Sequence, residues 1–311
     1  MKKFFYRMCM ALCLCGVVIF VWPDLYRLKN YLDNERVIQT FEEQDREIDW
    51  KIKEEKDRNV KKVSDELYTK MQEYNTKIFM NKQADLQDPW SMEQEALDFT
   101  TYNLTDGVIG VISIPKMGVE LPIYSGAKEE NMSRGAVLLG QTSFPINGEN
   151  INSVIAAHRG WKGSPMFRDI EAMELGDQVI VKNPWETLTY QVTDIKVIMP
   201  NDIEQILIRE GKNMVTLLTC HPYTENSRRY VVYCERTTDE KGENGGTQEA
   251  ETDKKKETDK IRRQARKEDR ELLIRDEFLR KAGYVALAVF GILVVFGEIR
   301  RKRRIRNKRR R

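Results

Sequence analysis

The sequence predicts a mostly β fold whose strands close into a barrel. Three observations support this prediction. Short apolar runs rich in β-branched residues recur between residues 107 and 235. Turns containing glycine or proline separate these runs, and helical spacing is scarce in this part of the chain. Many short strands with few helices between them are typical of a closed or nearly closed barrel rather than of a parallel α/β sheet.

Eight strands are predicted from these runs. In chain order they are GVIGVISI (107–114), VELPIY (119–124), residues 136–139, SVIAAH (153–158), DQVIV (177–181), TLTYQVTDIKVIM (187–199), NMVTLLT (213–219) and RYVVYCE (229–235). Short helices are predicted at SPMFRDIEAM (164–173) and NDIEQILIRE (201–210). The barrel is therefore expected to contain only short helical pieces.

A helical region precedes the barrel. Residues 35–80 are mostly charged or polar, and their sparse apolar residues recur at spacings of mostly three and four. These apolar residues are Val37, Ile38, Phe41, Ile48, Trp50, Val63, Leu67, Met71 and Ile78. Because no proline interrupts the pattern, it predicts an amphipathic helical region that packs on the barrel or forms a stalk.

Apolar segments lie near both ends of the chain. MCMALCLCGVVIFVW (8–22) follows Lys2, Lys3 and Arg7, and it fits a signal peptide or, preferably, an uncleaved anchor. AGYVALAVFGILVVFG (282–297) is uncharged and fits a transmembrane helix, with a buried core helix as the alternative. Basic residues before the first segment and after the second predict that both ends are cytoplasmic and that residues 24–280 lie outside.

The net charge of +3 comes from one short stretch. RRKRRIRNKRRR (300–311) holds ten of the 52 basic residues, so the rest of the chain has 42 basic against 49 acidic residues, about −7. A basic tail alone could suggest nucleic-acid binding. Because the tail directly follows an apolar segment, it indicates a cytoplasmic retention signal, and no nucleic-acid partner is expected.

These patterns predict six parts of the chain. They are an N-terminal anchor or signal (1–23), a helical region (24–100), a β-barrel (101–237), a charged linker (238–280), a C-terminal transmembrane helix (281–299) and a basic cytoplasmic tail (300–311). The linker is nearly all charged, polar or glycine up to residue 270, which predicts a disordered segment or a solvated helix.

Two of the five cysteines, Cys220 and Cys234, belong to the exported part. They could pair as a disulfide in an anchored scaffold protein. Alternatively, Cys220 is a nucleophile. If the strands that carry them are neighbours, side-chain alternation turns Cys220 and Arg229 into one groove and Cys234 away from it, which weakens the disulfide interpretation.

A thiol nucleophile needs a partner that accepts its proton, and the chain has two histidines. His158 ends an apolar strand and precedes a glycine-rich loop, which is a suitable place for a catalytic side chain. His221 directly follows Cys220, and adjacent strand residues face opposite sides, so His221 is a poor partner by geometry. His158 is therefore the candidate base.

These residues resemble the sortases, cysteine transpeptidases of Gram-positive bacteria. TLLTCHPYTENSRRYVV (216–232), the arginine nine residues after the cysteine and the upstream histidine are similar to the signature of class C, the pilin-polymerising group. The resemblance covers residues 30–236 and the two-anchor layout, and it implies Cys220, His158 and Arg229 as catalytic residues. His221 departs from the pattern, because a threonine or small residue often follows the cysteine.

QDPWSM (87–92) matches a second feature of class C sortases, a lid loop with an Asp-Pro-Trp motif over the active site. The resemblance implies that Asp88 approaches Arg229 or its surroundings and that Trp90 covers Cys220. A carboxylate can pair with a guanidinium group, and an indole can shield a thiol. An ordinary turn with a packed tryptophan is the alternative.

The resemblance implies a membrane-anchored transpeptidase. It would cleave LPXTG-like sorting signals between Thr and Gly and join the acyl group to a pilin lysine, with no metal or cofactor. Its partners would be pilin subunits and, alternatively, a cell-wall precursor amine. The alternatives are a housekeeping-type sortase, a transpeptidase of peptidoglycan stems, which the arginine spacing does not support, and the non-enzymatic scaffold with a Cys220–Cys234 disulfide.

Overall fold

A computed structural model describes residues 2–53, 58–84, 86, 107–161, 164–223, 225–237 and 248–309. The chain divides into a larger unit, Arg27–Glu268, and a smaller one formed by Met1–Tyr26 and Asp269–Arg311. The larger unit contains every described strand.

The described elements are four α-helices and eight strands. The helices are α1 (Lys2–Lys53), α2 (Arg58–Met80), α3 (Glu129–Arg134) and α4 (Gln248–Arg309). The strands are β1 (Val108–Ile114), β2 (Val119–Ser125), β3 (Ala136–Leu138), β4 (Ile151–Ala156), β5 (Gln178–Lys182), β6 (Thr187–Ile198), β7 (Asn213–His221) and β8 (Arg228–Arg236).

The strands form one closed barrel in the order β1-β2-β3-β4-β7-β8-β6-β5. The β2–β3 and β4–β7 pairs are parallel, and the other pairs are antiparallel. The predicted closed barrel is confirmed. The predicted short helices are smaller than expected, because only 3-10 turns form at Ile170–Ala172 and Ile203–Ile206.

Side-chain alternation separates two apolar layers. The inward-facing residues of all eight strands form the barrel core, as on β7 and β8, where Val215, Leu217, Val232 and Cys234 are buried. The alternate residues of six strands form an outer layer, which Phe41 of α1 and the short helix α3 help to cover. Both faces of β7 and β8 are therefore buried, which explains the continuous apolar run Tyr230–Cys234 of β8.

Helix α2 packs on the barrel core. Leu67 and Met71 are buried in that core, as the amphipathic pattern predicts. The side chain of Asn75 donates to the carbonyl oxygen of Phe144 at 3.1 Å and accepts its N–H at 2.8 Å. These two hydrogen bonds hold α2 on the barrel. Trp50 of α1, which was also predicted on the apolar face, is instead 49% exposed.

Helix α4 differs from the linker that its composition predicts. Its first part is helical, in line with one of the two predicted states, but it is not simply solvated. Thr258, Arg262 and Ala265 are buried, and Ala265 joins the barrel core. These residues recur at helical spacing, so a face of small and polar side chains packs on the barrel with few apolar residues.

The smaller unit consists of the N-terminal part of α1, up to Tyr26, and the C-terminal part of α4, from Asp269. It exposes several large apolar side chains, among them Trp22, Leu25, Phe278 and Leu279. Within the described residues, none of the helices meets the length and apolarity needed for a membrane span.

Candidate active site

Cys220 and Arg229 form one cross-strand pair at the end of β7 and β8. Their Cα atoms are register partners, one step before the last pair of the ladder. Directly opposite residues of an antiparallel pair project to the same side, so both side chains lie on the outer face of the barrel. Both residues are buried, at 5% and 6% exposure.

The guanidinium group of Arg229 is fixed by the backbone of the turn between these strands. Its Nη1 donates to the carbonyl oxygens of Asn226 at 3.0 Å and Arg228 at 3.1 Å. Asn226 has a φ of 60°, a left-handed conformation that asparagine tolerates better than most residues. The turn thus orients the charged group instead of leaving it as a mobile surface side chain.

His158 lies beside the cysteine because β4 runs parallel to β7. The register pairs Ala156 with Leu218. It continues past the end of β4, where the N–H of Ala157 donates to the Leu218 carbonyl oxygen at 3.2 Å. His158 and Cys220 each lie two residues beyond the Ala156–Leu218 pair, so the segment after β4 carries His158 towards the Cys220 end of β7.

The His158 imidazole stacks on the Trp161 ring, with centroids 4.5 Å apart and planes 12° from parallel. Burial lowers the pKa of His158 below its ordinary value of 6.5. The neutral imidazole, which can accept a proton, is therefore the main form at neutral pH. A thiol, a base and a fixed guanidinium group share one face of the barrel.

The chain matches the sortase domain over residues 112–237. The fold also resembles the solved sortase C1 of GBS pilus island 1, with 32% identity and a TM-score of 0.57. That match covers 66% of this chain and 98% of the other. The chain belongs to the sortase family. A solved sortase C of Streptococcus pneumoniae is also similar, with 32% identity and a TM-score of 0.56. That match covers 65% of this chain and 97% of the other.

Curated relatives agree with this membership over a shorter length. Sortase A of Bacillus anthracis is 33% identical over 125 residues, which is 40% of this chain and 58% of the relative. Sortase D of Bacillus subtilis (strain 168) is 30% identical over 132 residues, 42% of this chain and 64% of the relative. The chain thus matches less than two thirds of the length of either relative.

The disulfide interpretation of this sortase is wrong. Cys220 and Cys234 do not form a disulfide with each other. Cys234 is the register partner of Val215, five residues along β7 from Cys220, and it faces the barrel core. Burial raises the pKa of the Cys234 thiol, so it stays protonated. The scaffold hypothesis loses the bond on which it depended.

His221 faces the barrel interior, away from the thiol of its neighbour. Its Nδ1 accepts a hydrogen bond from Nη1 of Arg159 at 2.9 Å. Arginine can only donate, so Nδ1 carries no proton, and Nε2 donates to Oε2 of Glu268 at 3.0 Å. With both ring nitrogens engaged on the inner side, His221 is placed away from the reacting face, which agrees with the geometric expectation.

Charged residues around His221 form what we call the inner polar cluster: Arg159, Glu171, His221, Arg228 and Glu268. Arg159 forms a buried ion pair with Glu171 and donates to the Cys220 carbonyl oxygen at 3.2 Å. Arg228 donates to Oε2 of Glu268 at 2.6 Å. The cluster lies behind the three candidate catalytic residues.

Of this cluster, only His221 stands out in the sequence, and the other four members were not predicted. One signal could have found Arg159 and Arg228, because each directly adjoins a candidate catalytic residue and alternation turns it to the other face. No comparable signal exists for Glu171 or Glu268, which lie on distant parts of the chain.

The lid residues Asp88 and Trp90 lie outside the described residues. In the described part of the chain, no group of three or more His, Cys, Asp or Glu side chains is placed to hold a metal ion.

Proposed function

We propose that this sortase is a membrane-anchored cysteine transpeptidase that polymerises pilins. The observation that carries the proposal is the Cys220–Arg229 pair with His158 beside it on one barrel face. Acyl transfer through a thioester requires a nucleophile, an acid–base group and a positive donor near the developing oxyanion. The three side chains supply one of each.

The first half of the reaction cleaves the substrate. Cys220 gives its proton to the neutral imidazole of His158, and the thiolate attacks the carbonyl carbon of the Thr–Gly bond in an LPXTG-like signal. Arg229 stabilises the negative oxygen of the tetrahedral intermediate. His158 then donates its proton to the leaving glycine amine, and the threonyl group remains on Cys220 as a thioester.

The second half transfers the acyl group. A lysine amine of another pilin subunit attacks the thioester, and His158 accepts a proton from that amine. Collapse of the intermediate forms the isopeptide bond, and the sulfur leaves as a thiolate that is reprotonated. The similar solved structures include a sortase C1 of a pilus island and a sortase C described with its pilin substrate specificity, and the matches cover 98% and 97% of those chains. This similarity supports pilins as the substrates.

The proposed lid extends this mechanism. Trp90 shields the Cys220 thiol, and Asp88 approaches Arg229 or its surroundings until a substrate displaces them. Alanine at either position should therefore increase the rate at which iodoacetamide alkylates Cys220. An unchanged alkylation rate would remove the lid from the mechanism.

The proposed location is the cell membrane, with the barrel outside and the basic tail in the cytoplasm. The apolar segments 8–22 and 282–297 and the large apolar side chains exposed by the smaller unit support it. When cells that make the full-length chain are fractionated, the protein should be recovered with the membranes, and washing with alkaline carbonate should not extract it. Recovery in the soluble fraction would contradict the anchoring.

The test of activity supplies the full-length chain with a fluorogenic LPXTG peptide and one of two acceptors. A lysine-bearing pilin peptide should give an isopeptide product, and Cys220→Ala should give none. Reaction with a cell-wall peptide amine but not with lysine would indicate the housekeeping-type sortase instead. If the wild type neither cleaves nor transfers, the proposed function is wrong.

A further inference from the structure

Each of the three proposed catalytic residues adjoins a residue of the inner polar cluster in the sequence. These neighbours are Arg159, His221 and Arg228. Adjacent side chains of β7 and β8 face opposite sides, so Cys220 and Arg229 lie on the outer face, and His221 and Arg228 lie on the inner face, where Arg159 bonds His221. Whatever holds the cluster in place therefore also holds the backbone from which the catalytic side chains project.

Arg159 joins two of the catalytic segments. Its Nη1 donates both to the Cys220 carbonyl oxygen at 3.2 Å and to Nδ1 of His221 at 2.9 Å. The same guanidinium pairs with the buried carboxylate of Glu171. Since Arg159 follows His158, these bonds fix the end of β4 against the end of β7, where the base must meet the thiol.

Glu268 of α4 joins the third segment. Its Oε2 accepts from Nε2 of His221 at 3.0 Å and from Nη2 of Arg228 at 2.6 Å. His221 and Arg228 are the last register pair of β7 and β8, immediately after Cys220 and Arg229. A single carboxylate oxygen thus connects β7 and β8 where they enter the turn between them.

The cluster is balanced in charge. Arg159 and Arg228 face the carboxylates of Glu171 and Glu268, and the tautomer of His221 leaves it neutral between them. Burial alone would raise the pKa of Glu268, but the hydrogen bond from Gln264 and the charge of Arg228 lower it below its ordinary value. Glu268 is therefore ionised at neutral pH and binds both partners as a carboxylate.

We propose that Glu268, on the helix after the barrel, is a positioning residue for this sortase, acting through His221 and Arg228 on the Cys220–Arg229 pair. The inference rests on the proposed transpeptidase function. It makes the charged segment after the barrel part of the catalytic unit, although its composition predicts a linker.

The expected effect follows from catalytic geometry. Weakening the hydrogen bonds of Glu268 to His221 and Arg228 lets the segments that carry Cys220 and Arg229 shift, but it removes no group that touches the substrate. Misplacement by about 1 Å can cost about 100-fold in rate, so a partial loosening should lower kcat about tenfold. KM should stay within about twofold, since the substitution removes no group that touches the substrate.

The test compares Glu268→Gln with Asp253→Asn in the full-length chain, using cleavage of the LPXTG peptide. Both variants replace a carboxylate of α4 with an amide, but Asp253 bonds the exposed Lys256 on the same helix. Glu268→Gln should lower kcat about tenfold with KM unchanged, and Asp253→Asn should match the wild type. Glu268→Asp keeps the charge and should restore part of kcat.

Three results would overturn the positioning role. One is an unchanged kcat in Glu268→Gln. Another is an equal fall in Asp253→Asn. The third is a fall in kcat that disappears when rates are divided by the concentration of folded protein, which shows a role in stability only. Thermal unfolding of each variant supplies that concentration.

A second readout needs no substrate. The rate of Cys220 alkylation by iodoacetamide should change at least about twofold in Glu268→Gln and not in Asp253→Asn. If wild-type protein fails to cleave the peptide but this difference remains, the proposed function fails and the positioning survives. If cleavage is normal and neither kcat nor alkylation changes in Glu268→Gln, the positioning alone fails.

Discussion

Replacing Arg229 with lysine keeps the positive charge near Cys220 but removes the planar guanidinium. Arg229 uses Nη1 to reach two carbonyl oxygens of the turn, at 3.0 and 3.1 Å. A lysine ammonium is a single donor atom on a flexible stem, and it cannot hold both carbonyls and also face the substrate. The substitution therefore isolates orientation from charge.

The magnitude follows from the bonds that become unavailable. A hydrogen bond that involves a charged group contributes about 1.5–3 kcal/mol. If the variant loses one such bond to the oxyanion of the transition state, kcat/KM should fall about 10- to 150-fold. The fold should survive, because the strand pairing around Arg229 is made by backbone groups.

The assay is LPXTG-peptide cleavage by the full-length chain, with Arg236→Lys as the matched control. Arg236 lies on the same strand, seven residues and about 23 Å away. The control should retain wild-type kcat/KM. A near-normal kcat/KM in Arg229→Lys would refute an oriented guanidinium in the mechanism and leave Arg229 a structural role.

Three further predictions concern the residues around the site. Asn226→Gly should keep most activity because glycine tolerates the left-handed backbone, whereas Asn226→Ala should lower kcat/KM about tenfold as the Arg229 acceptor shifts; equal rates would contradict this. Glu171→Ala should lower the free energy of unfolding in urea by about 3–5 kcal/mol, since it leaves Arg159 charged and buried, and a loss under about 1 kcal/mol would argue against a structural ion pair. Burial lowers the pKa of His158 below 6.5, so the unfolded chain binds that proton more readily, and stability should fall as the pH drops through 6.5. The His158→Gln variant should lose less stability than the wild type as the pH drops. If the free energies of unfolding of the two proteins change in parallel from about pH 8 to 5, His158 is not the source of the pH dependence.

The barrel was predictable because its signals are local. Side-chain alternation and turn residues mark each strand, and the observed strands begin and end within two residues of the predicted ones. The Cys220–Arg229 pair was equally accessible, since the two residues flank one turn of a β-hairpin. Alternation along that hairpin also correctly separated Cys234 from the outer face.

The neighbourhood of His158 depends on a contact that local pattern does not contain. Strand β4 lies beside β7 in parallel, although two strands separate them in the chain. The sequence placed His158 at a strand end, and the poor geometry of His221 left His158 as the candidate base, but no local pattern puts that strand end beside Cys220. Helix α3 was missed because its six residues bury a single apolar side chain, Met132.

The role of α4 was hidden by its composition. A segment with so many charged residues predicts solvent exposure, because charges are costly to bury without partners. In the structure, Arg262 bonds Glu174 at 2.7 Å and the Glu171 carbonyl oxygen at 3.4 Å, and Glu268 bonds Arg228 and His221. The partners that make this burial possible are distant in sequence, so the helix face cannot be recognised from the segment alone.

The most direct test of the central claim is the mass of the enzyme during turnover. Full-length protein is mixed with an LPXTG peptide, quenched in acid and analysed by intact mass and peptide mapping. The expected result is a threonyl adduct on Cys220 that hydroxylamine releases and that Cys220→Ala cannot form. An adduct on Cys234 or another residue, or cleavage of the peptide by Cys220→Ala at the wild-type rate, would contradict a thioester mechanism at Cys220.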